Sequence, residues 1–397
     1  MRFGTPARLL AAIGFGLALL LVAPALSVAA DKDKDKDKED KGKRVTFPTS
    51  DGVDIGGTFY AAPKDSKKEA CVLLLHDFSG KKGGDSHTDD MDKLAEELQE
   101  KGYDVLSFDF RGFGESKNIR PEVFWTFNSS KLVIPQGFNP KSPPGNIDQK
   151  TFPAAYYAYL VNDVSAAKAY LDQKSQDKKL NSANVIVIGA GQGATVGNMW
   201  MFAQYRLRRE KGLKPGGRMI DWDEPEGKDI AAGLWLTMSP QLEGVTIPIT
   251  RYLDELEKTY RVPMWFVYGE QDKKAEEQTA YWLKTVMPDY KLLGDGDQDG
   301  KAHPDKKLKL TRDFCVKDTK LAGSKLLNDL PNTTKAINFF VDRVMEERGI
   351  HPPRHVEVDK FPYAWIDPRT GAAVPAKAMN EEGFKPLDLR VIYLGNR

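Results

Sequence analysis

Residues 184–195 read NVIVIGAGQGAT, a short β-branched run, then Gly189, Gly191 and Gly193, then an apolar, helix-like stretch from Ala194. This is the pattern of a strand, a tight turn and a helix, with glycines where the turn leaves no room for side chains. Such a turn can hold a reactive group up to a substrate, yet nothing between Gly189 and Gly191 carries one. Acid–base chemistry would draw on five histidines, His76, His87, His303, His351 and His355. Ser79, Ser116 and Ser239 stand at the ends of strand-like runs, and none has an evident base beside it. Asp295, Asp297 and Asp299, followed by Gly300, reproduce the first half of a calcium loop, in which alternate carboxylates converge on a hard cation. The twelfth position is Lys306 where a bidentate Glu belongs, and Lys301 adds opposing charge. The loop is therefore expected to bind calcium weakly or to stay a solvated acidic turn, and no other cofactor is indicated.

The elements that must position these residues follow from periodicity. Residues 45–61 read as two short strands around Ser50-Asp51-Gly52, a hairpin signal, and 70–75 as a strand buried on both faces. The spacing of Met91, Leu94, Ala95 and Leu98 predicts a helix over 91–102, and 104–110 returns to strand. A strand, helix, strand order implies a parallel pair with a right-handed crossover. Residues 120–152, rich in Pro, Gly, Asn and Ser, form an insertion after the fourth strand. Helices are expected over 154–174, 194–209 and 333–348, strands over 230–238 and 262–268, and a partly helical link over 240–261. The last core strand is either 289–293 or 308–316, and the longer apolar run favours the second. After His351-Pro352-Pro353, residues 363–374 suggest a hairpin and 389–394 one more strand, a small β extension over 351–397.

Of the 397 residues 41% are hydrophobic and 29% charged, enough apolar content for a substantial core. A net charge of +1 gives no electrostatic reason for a nucleic-acid partner. Residues 1–30 place Arg2 and Arg8 before an apolar stretch that ends in Pro24 and small residues, the layout of a cleaved signal peptide. Export to the periplasm or the extracellular space is the expectation, with no membrane span left after cleavage. Residues 31–44 alternate acidic and basic types with nothing apolar, a solvated linker before a main domain over 45–350. Cys71 and Cys315 each lie in an apolar run and read as buried thiols.

Four stretches taken together resemble the α/β-hydrolase superfamily, most of all its serine-peptidase and dienelactone-hydrolase branches, and they span most of 44–350. Leu73-Leu74-Leu75-His76-Asp77-Phe78 resembles the family's strand ending in His-Gly. Phe108-Asp109-Phe110-Arg111-Gly112-Phe113-Gly114-Glu115-Ser116 matches its D-x-R-G-x-G-x-S turn. The glycine triplet matches the nucleophile elbow G-x-S-x-G, and the strand through Val267-Tyr268-Gly269-Glu270-Gln271-Asp272 resembles the one that carries the triad acid. The resemblance implies an α/β-hydrolase fold, a mostly parallel central sheet flanked by helices. It also implies oxyanion donors at the backbone N–H of Phe78 and Gln192, an acid at Asp272 and a nucleophile at position 191.

Position 191 is glycine, so covalent catalysis by the family's route is excluded. Asp77 stands where the family has glycine, and its carboxylate would oppose a developing oxyanion if it pointed inward. The triad base is His303 if the last strand is 289–293, and is absent if that strand is 308–316. These departures favour an exported α/β-hydrolase-fold protein that is catalytically degenerate and keeps its cleft for an unidentified small molecule or protein. The rivals are an ester or amide hydrolase using another nucleophile with Asp272 and His303, and a structural or interaction protein.

Overall fold

The computed structural model describes residues 42–79, 81–127, 129–214, 217–289, 310–328, 331–353, 363–366 and 373–376. All belong to one compact unit, Lys41–Arg397. Strands β1 (Lys43–Pro48) and β2 (Asp54–Tyr60) pair antiparallel across the Ser50-Asp51-Gly52 turn. Strand β3 (Cys71–Leu75), helix α1 (Met91–Glu100) and strand β4 (Asp104–Phe108) form the expected parallel crossover. The insertion after β4 contains a short helix α2 (Pro121–Phe124) and two single-turn 3-10 segments. Helix α3 (Val161–Gln176), entered through a 3-10 turn at Ala154–Leu160, leads to β5 (Val185–Ala190) and α4 (Gly191–Arg206).

The chain then departs from its sequence reading. The helix after the glycine turn ends at Arg206, and a hairpin follows, β6 (Leu207–Lys214) and β7 (Gly217–Pro225). Strand β8 (Ile230–Leu236), a two-residue pair β9 (Gln241–Leu242) and β10 (Val245–Thr246), helix α5 (Ile249–Lys258), β11 (Met264–Gly269) and α6 (Lys273–Val286) come next. Strand β12 (Arg312–Val316) pairs parallel with β11, so the last core strand is the second of the two alternatives. Helix α7 (Pro331–Arg348) closes the sheet, and β13 (Tyr363–Ile366) pairs with β14 (Ala373–Ala376) and with β6. The extension thus joins the β6–β7 hairpin in a second, four-stranded sheet. The strand expected over 389–394 lies outside the described residues.

The main sheet has eight strands in the order β1-β2-β4-β3-β5-β8-β11-β12, antiparallel at β1 and β2 and parallel from β4 onward. This is the mostly parallel, helix-flanked sheet of the α/β-hydrolase fold. Its inner strands are buried on both faces, because alternate side chains feed two cores. Leu73, Leu75, Val185 and Val187 pack with Trp200 of α4 and Leu253 of α5. Val72, Leu74, Ile186 and Ile188 pack with Leu94 of α1 and Phe340 of α7. Each such side chain contributes about 1.5–3 kcal/mol when fully buried. Cys71 and Cys315 are free thiols, Cys71 buried and Cys315 half-buried. Their strands stand four places apart in the sheet, roughly 19 Å at the usual strand spacing and beyond disulfide reach. No helix among the described residues is long and apolar enough to cross a membrane.

Candidate active site

The carboxyl ends of β3, β5 and β8 and the loop after β12 meet around the glycine turn. Gly191 has φ +52°, the left-handed region that favours glycine, and it opens α4 directly after β5. A Cβ built on Gly191 would lie 1.9 Å from Asp77 Oδ1, 2.2 Å from its Cγ and 2.4 Å from its Oδ2. The Asp77 carboxylate therefore fills the volume that a side chain at the elbow's apex would need. Gly193 is constrained in a second way, since a Cβ there would stand 2.2 Å from the His76 carbonyl oxygen. This close approach of α4 to the end of β3 brings the two loops together.

The backbone N–H groups of Phe78 and Gln192, the pair expected as oxyanion donors, both bond to one atom. Phe78 N–H donates to Asp77 Oδ1 at 2.8 Å, and Gln192 N–H donates to the same oxygen at 3.1 Å. Asp77 points inward, its carboxylate at the N-terminus of α4, where backbone donors favour an anion. Burial is the largest influence on its pKa and raises it from the ordinary carboxylate value, against the two N–H bonds, which lower it. On its other side the carboxylate abuts Gly323, where a Cβ would be 2.3 Å from Asp77 Oδ2.

Gly323 belongs to the loop after β12, the loop from which the resemblance would supply the triad base. Residues 317–327 contain no histidine, and the loop is fastened elsewhere, with Ser324 Oγ donating to Asp89 Oδ2 at 2.7 Å and Asn328 Nδ2 to Asp89 Oδ1 at 3.1 Å. His303, Asp295, Asp297 and Asp299 lie outside the described residues. Asp272 caps α6, its Oδ1 accepting from Ala275 N–H at 3.1 Å. That bond is what an N-cap aspartate makes whatever its other duties.

Among the described residues, His76, His87 and His351 are committed to structure. His76 is buried, accepts from Phe110 N–H at Nε2 (3.1 Å) and so donates from Nδ1 to the Asp77 carbonyl (2.8 Å). Burial lowers its pKa, which keeps it neutral. His87 pairs through Nδ1 with Asp92 at 2.7 Å and accepts from Arg44 at Nε2, and Asp92 also receives the Tyr60 hydroxyl. His351 Nδ1 faces Arg348 at 3.3 Å. The candidate hydroxyls are likewise occupied. Ser116 is buried, donating to the Asp109 carbonyl and accepting from Gly56 N–H, and Ser239 donates to the Gln241 carbonyl. Ser79 Oγ accepts from Lys82 N–H at 3.4 Å.

The D-x-R-G-x-G-x-S turn is a buttress for this arrangement. Arg111 is fully buried between Asp51 (2.6 Å) and Asp163 (2.7 Å), while Asp109 accepts from the backbone of Ser86 and Glu115. The turn presses Phe110 and Phe113 against His76 and Phe78. On the far side Gln192 donates to the Phe78 carbonyl and to Glu243, and Glu243 N–H returns a bond at 2.7 Å, clamping the β9–β10 turn to α4. Sequence reading marked Asp77 as a carboxylate that could point inward, but missed that it bonds both N–H groups and that Gly323 packs against it. The available signal was a paired exchange, a side chain gained at 77 and one lost at 191, which only adjacency in space makes intelligible.

No family model and no curated protein matches the chain. Its fold is similar to that of the Pyrococcus furiosus esterase Pf2001 (14% identity, 78% of this chain and 93% of the esterase covered, TM-score 0.46). It is also similar to XC6422 from Xanthomonas campestris, a serine hydrolase without a lid (13% identity, 79% and 97% covered, TM-score 0.42). A third likeness is to EstE1, a thermostable carboxylesterase cloned from a metagenomic library (12% identity, 82% and 100% covered, TM-score 0.42).

Proposed function

We propose that this chain is an exported α/β-hydrolase-fold protein that does not hydrolyse esters or amides, and that it binds a small molecule or a protein at the carboxyl ends of its strands. The reading rests on one observation, that Asp77 Oδ1 accepts from both Phe78 N–H and Gln192 N–H. A hole filled by its own carboxylate has no donor to offer a tetrahedral intermediate, and the negative charge opposes a second one. The apex supplies no nucleophile, and the loop that touches the carboxylate brings glycine in place of a base. The Gln192–Glu243 clamp keeps the rim ordered without any reacting group at its centre. Treatment with a fluorophosphonate probe is expected to label the protein no more than a heat-denatured control, since the probe reports an activated hydroxyl. A stoichiometric adduct on Ser79, Ser239 or any other serine would overturn the reading.

A further inference from the structure

At the opposite end of the sheet from Gly191 lies a cavity of about 870 Å³, lined by the residues that lead into β3, β4 and β5. Its walls come from the β2–β3 connection (Ala62, Pro63), the start of β4 (Asp104), the exit of α3 (Leu180, Asn181) and Pro353. The volume falls in the range of small-molecule sites, and the lining mixes apolar residues with charged ones of both signs, Glu69, Asp104, Lys64 and Lys178 among them. Asp104 is one of those groups. It is only 8% exposed; its Oδ1 accepts from Ala62 N–H at 3.0 Å, and among the described residues no donor reaches its Oδ2. Lys174, the cation that acts on it, makes no ion pair with it and lies over two rings, with Nζ 4.9 Å from the centre of the Tyr170 ring and 5.3 Å from that of Phe59. Burial accordingly pushes the Asp104 carboxyl up to about 6. A carboxyl group desolvated without a paired cation is costly, and an ammonium ion placed against Oδ2 would relieve it. Lys64 and Lys178 also line the cavity, are exposed, and make no ion pair among the described residues.

We propose that this cavity is a second binding site, for a small zwitterion such as an amino acid or short peptide, with its ammonium group on Asp104 Oδ2 and its carboxylate at Lys64 and Lys178. The apolar lining, Pro63, Leu180 and Pro353 among it, takes the side chains, and the paired charges at floor and rim set the orientation. This site is independent of the glycine turn, so its fate and that of the proposed function are read separately.

The test is calorimetric titration of the full-length protein with alanyl-alanine, N-acetyl-alanyl-alanine and alanyl-alanine amide. Saturable binding of alanyl-alanine is expected, weakened at least about tenfold by N-acetylation and by Asp104→Asn, because truncating a buried charged contact is costly. Asparagine keeps the acceptor for Ala62 N–H, so this variant should fold. Amidation and the Lys64→Ala/Lys178→Ala pair should each weaken binding by a smaller factor, screened as exposed charges are. Absence of any saturable heat at 10 mM peptide, a concentration above about the millimolar limit of specific binding, would overturn the proposal. So would equal affinity for the acetylated peptide, or unchanged affinity in Asp104→Asn.

Discussion

Asp77 and Gly191 define each other at the level of single residues. A methyl group at 191 would overlap the carboxylate at 1.9 Å and would sit on a backbone at φ +52°. Gly191→Ala should therefore cost about 2–4 kcal/mol, overpacking and the left-handed conformation both contributing. Gly191→Ala combined with Asp77→Gly should cost less than the sum of the two single changes, with a coupling of about 1–3 kcal/mol in a denaturation cycle. Additive costs would mean that the two residues do not share one space. The carboxylate also makes a pH prediction. Burial raises the Asp77 pKa in the folded protein above its ordinary value near 3.8. Protons are thus held more tightly folded than unfolded, and the stabilisation is full below about pH 4 and fades as pH rises through the folded pKa. Asp77→Asn keeps the acceptor for Phe78 and Gln192 but cannot ionise. Its stability relative to wild type should rise between pH 4 and pH 7 in parallel urea titrations, and an unchanged difference would show that the carboxylate is not desolvated.

The elements show why some of the site was legible and some was not. Apolar runs at β3, β5, β8 and β11 are buried on both faces, a pattern that sequence alone carries. The glycine triplet announced a turn before a helix because only close backbone approach needs three glycines so spaced, as Gly193 against the His76 carbonyl bears out. The β6–β7 hairpin was hidden because nearly half of residues 207–225 are charged, with Pro215-Gly216-Gly217 the main turn signal, and its pairing with β13 joins segments far apart in the chain. Asp272 illustrates a further limit, since a carboxylate at a strand end before a helix serves equally as triad acid or as cap. In its place at the start of α6 it bonds Ala275 N–H. Asp272→Ala should lower stability by about 0.5–2 kcal/mol, the ordinary cost of losing an N-cap. A thermal midpoint equal to that of wild type would show that the cap contributes nothing.

Taken whole, the molecule keeps the strand order and packing of a hydrolase fold while its centre is closed from three sides, by Asp77 from β3, by the glycine apex of α4 and by Gly323 from the loop after β12. The glycine at the apex could be read in the sequence as one letter. Closure could not, because it depends on loops 114 and 246 positions apart along the chain converging on one oxygen pair, from Asp77 to Gly191 and Gly323. If closure matters as much as the glycine at the apex, placing a hydroxyl there is not enough. The most direct measurement is burst-phase hydrolysis of a chromogenic short-chain ester by Gly191→Ser/Asp77→Gly, which clears the hole and returns a serine to the apex. The proposed function predicts turnover no faster than wild type, because a serine without a positioned base is a poor nucleophile near neutral pH. A burst equal to the enzyme concentration that disappears on adding His303→Ala would contradict it, and would mean that a working base and acid had been present all along.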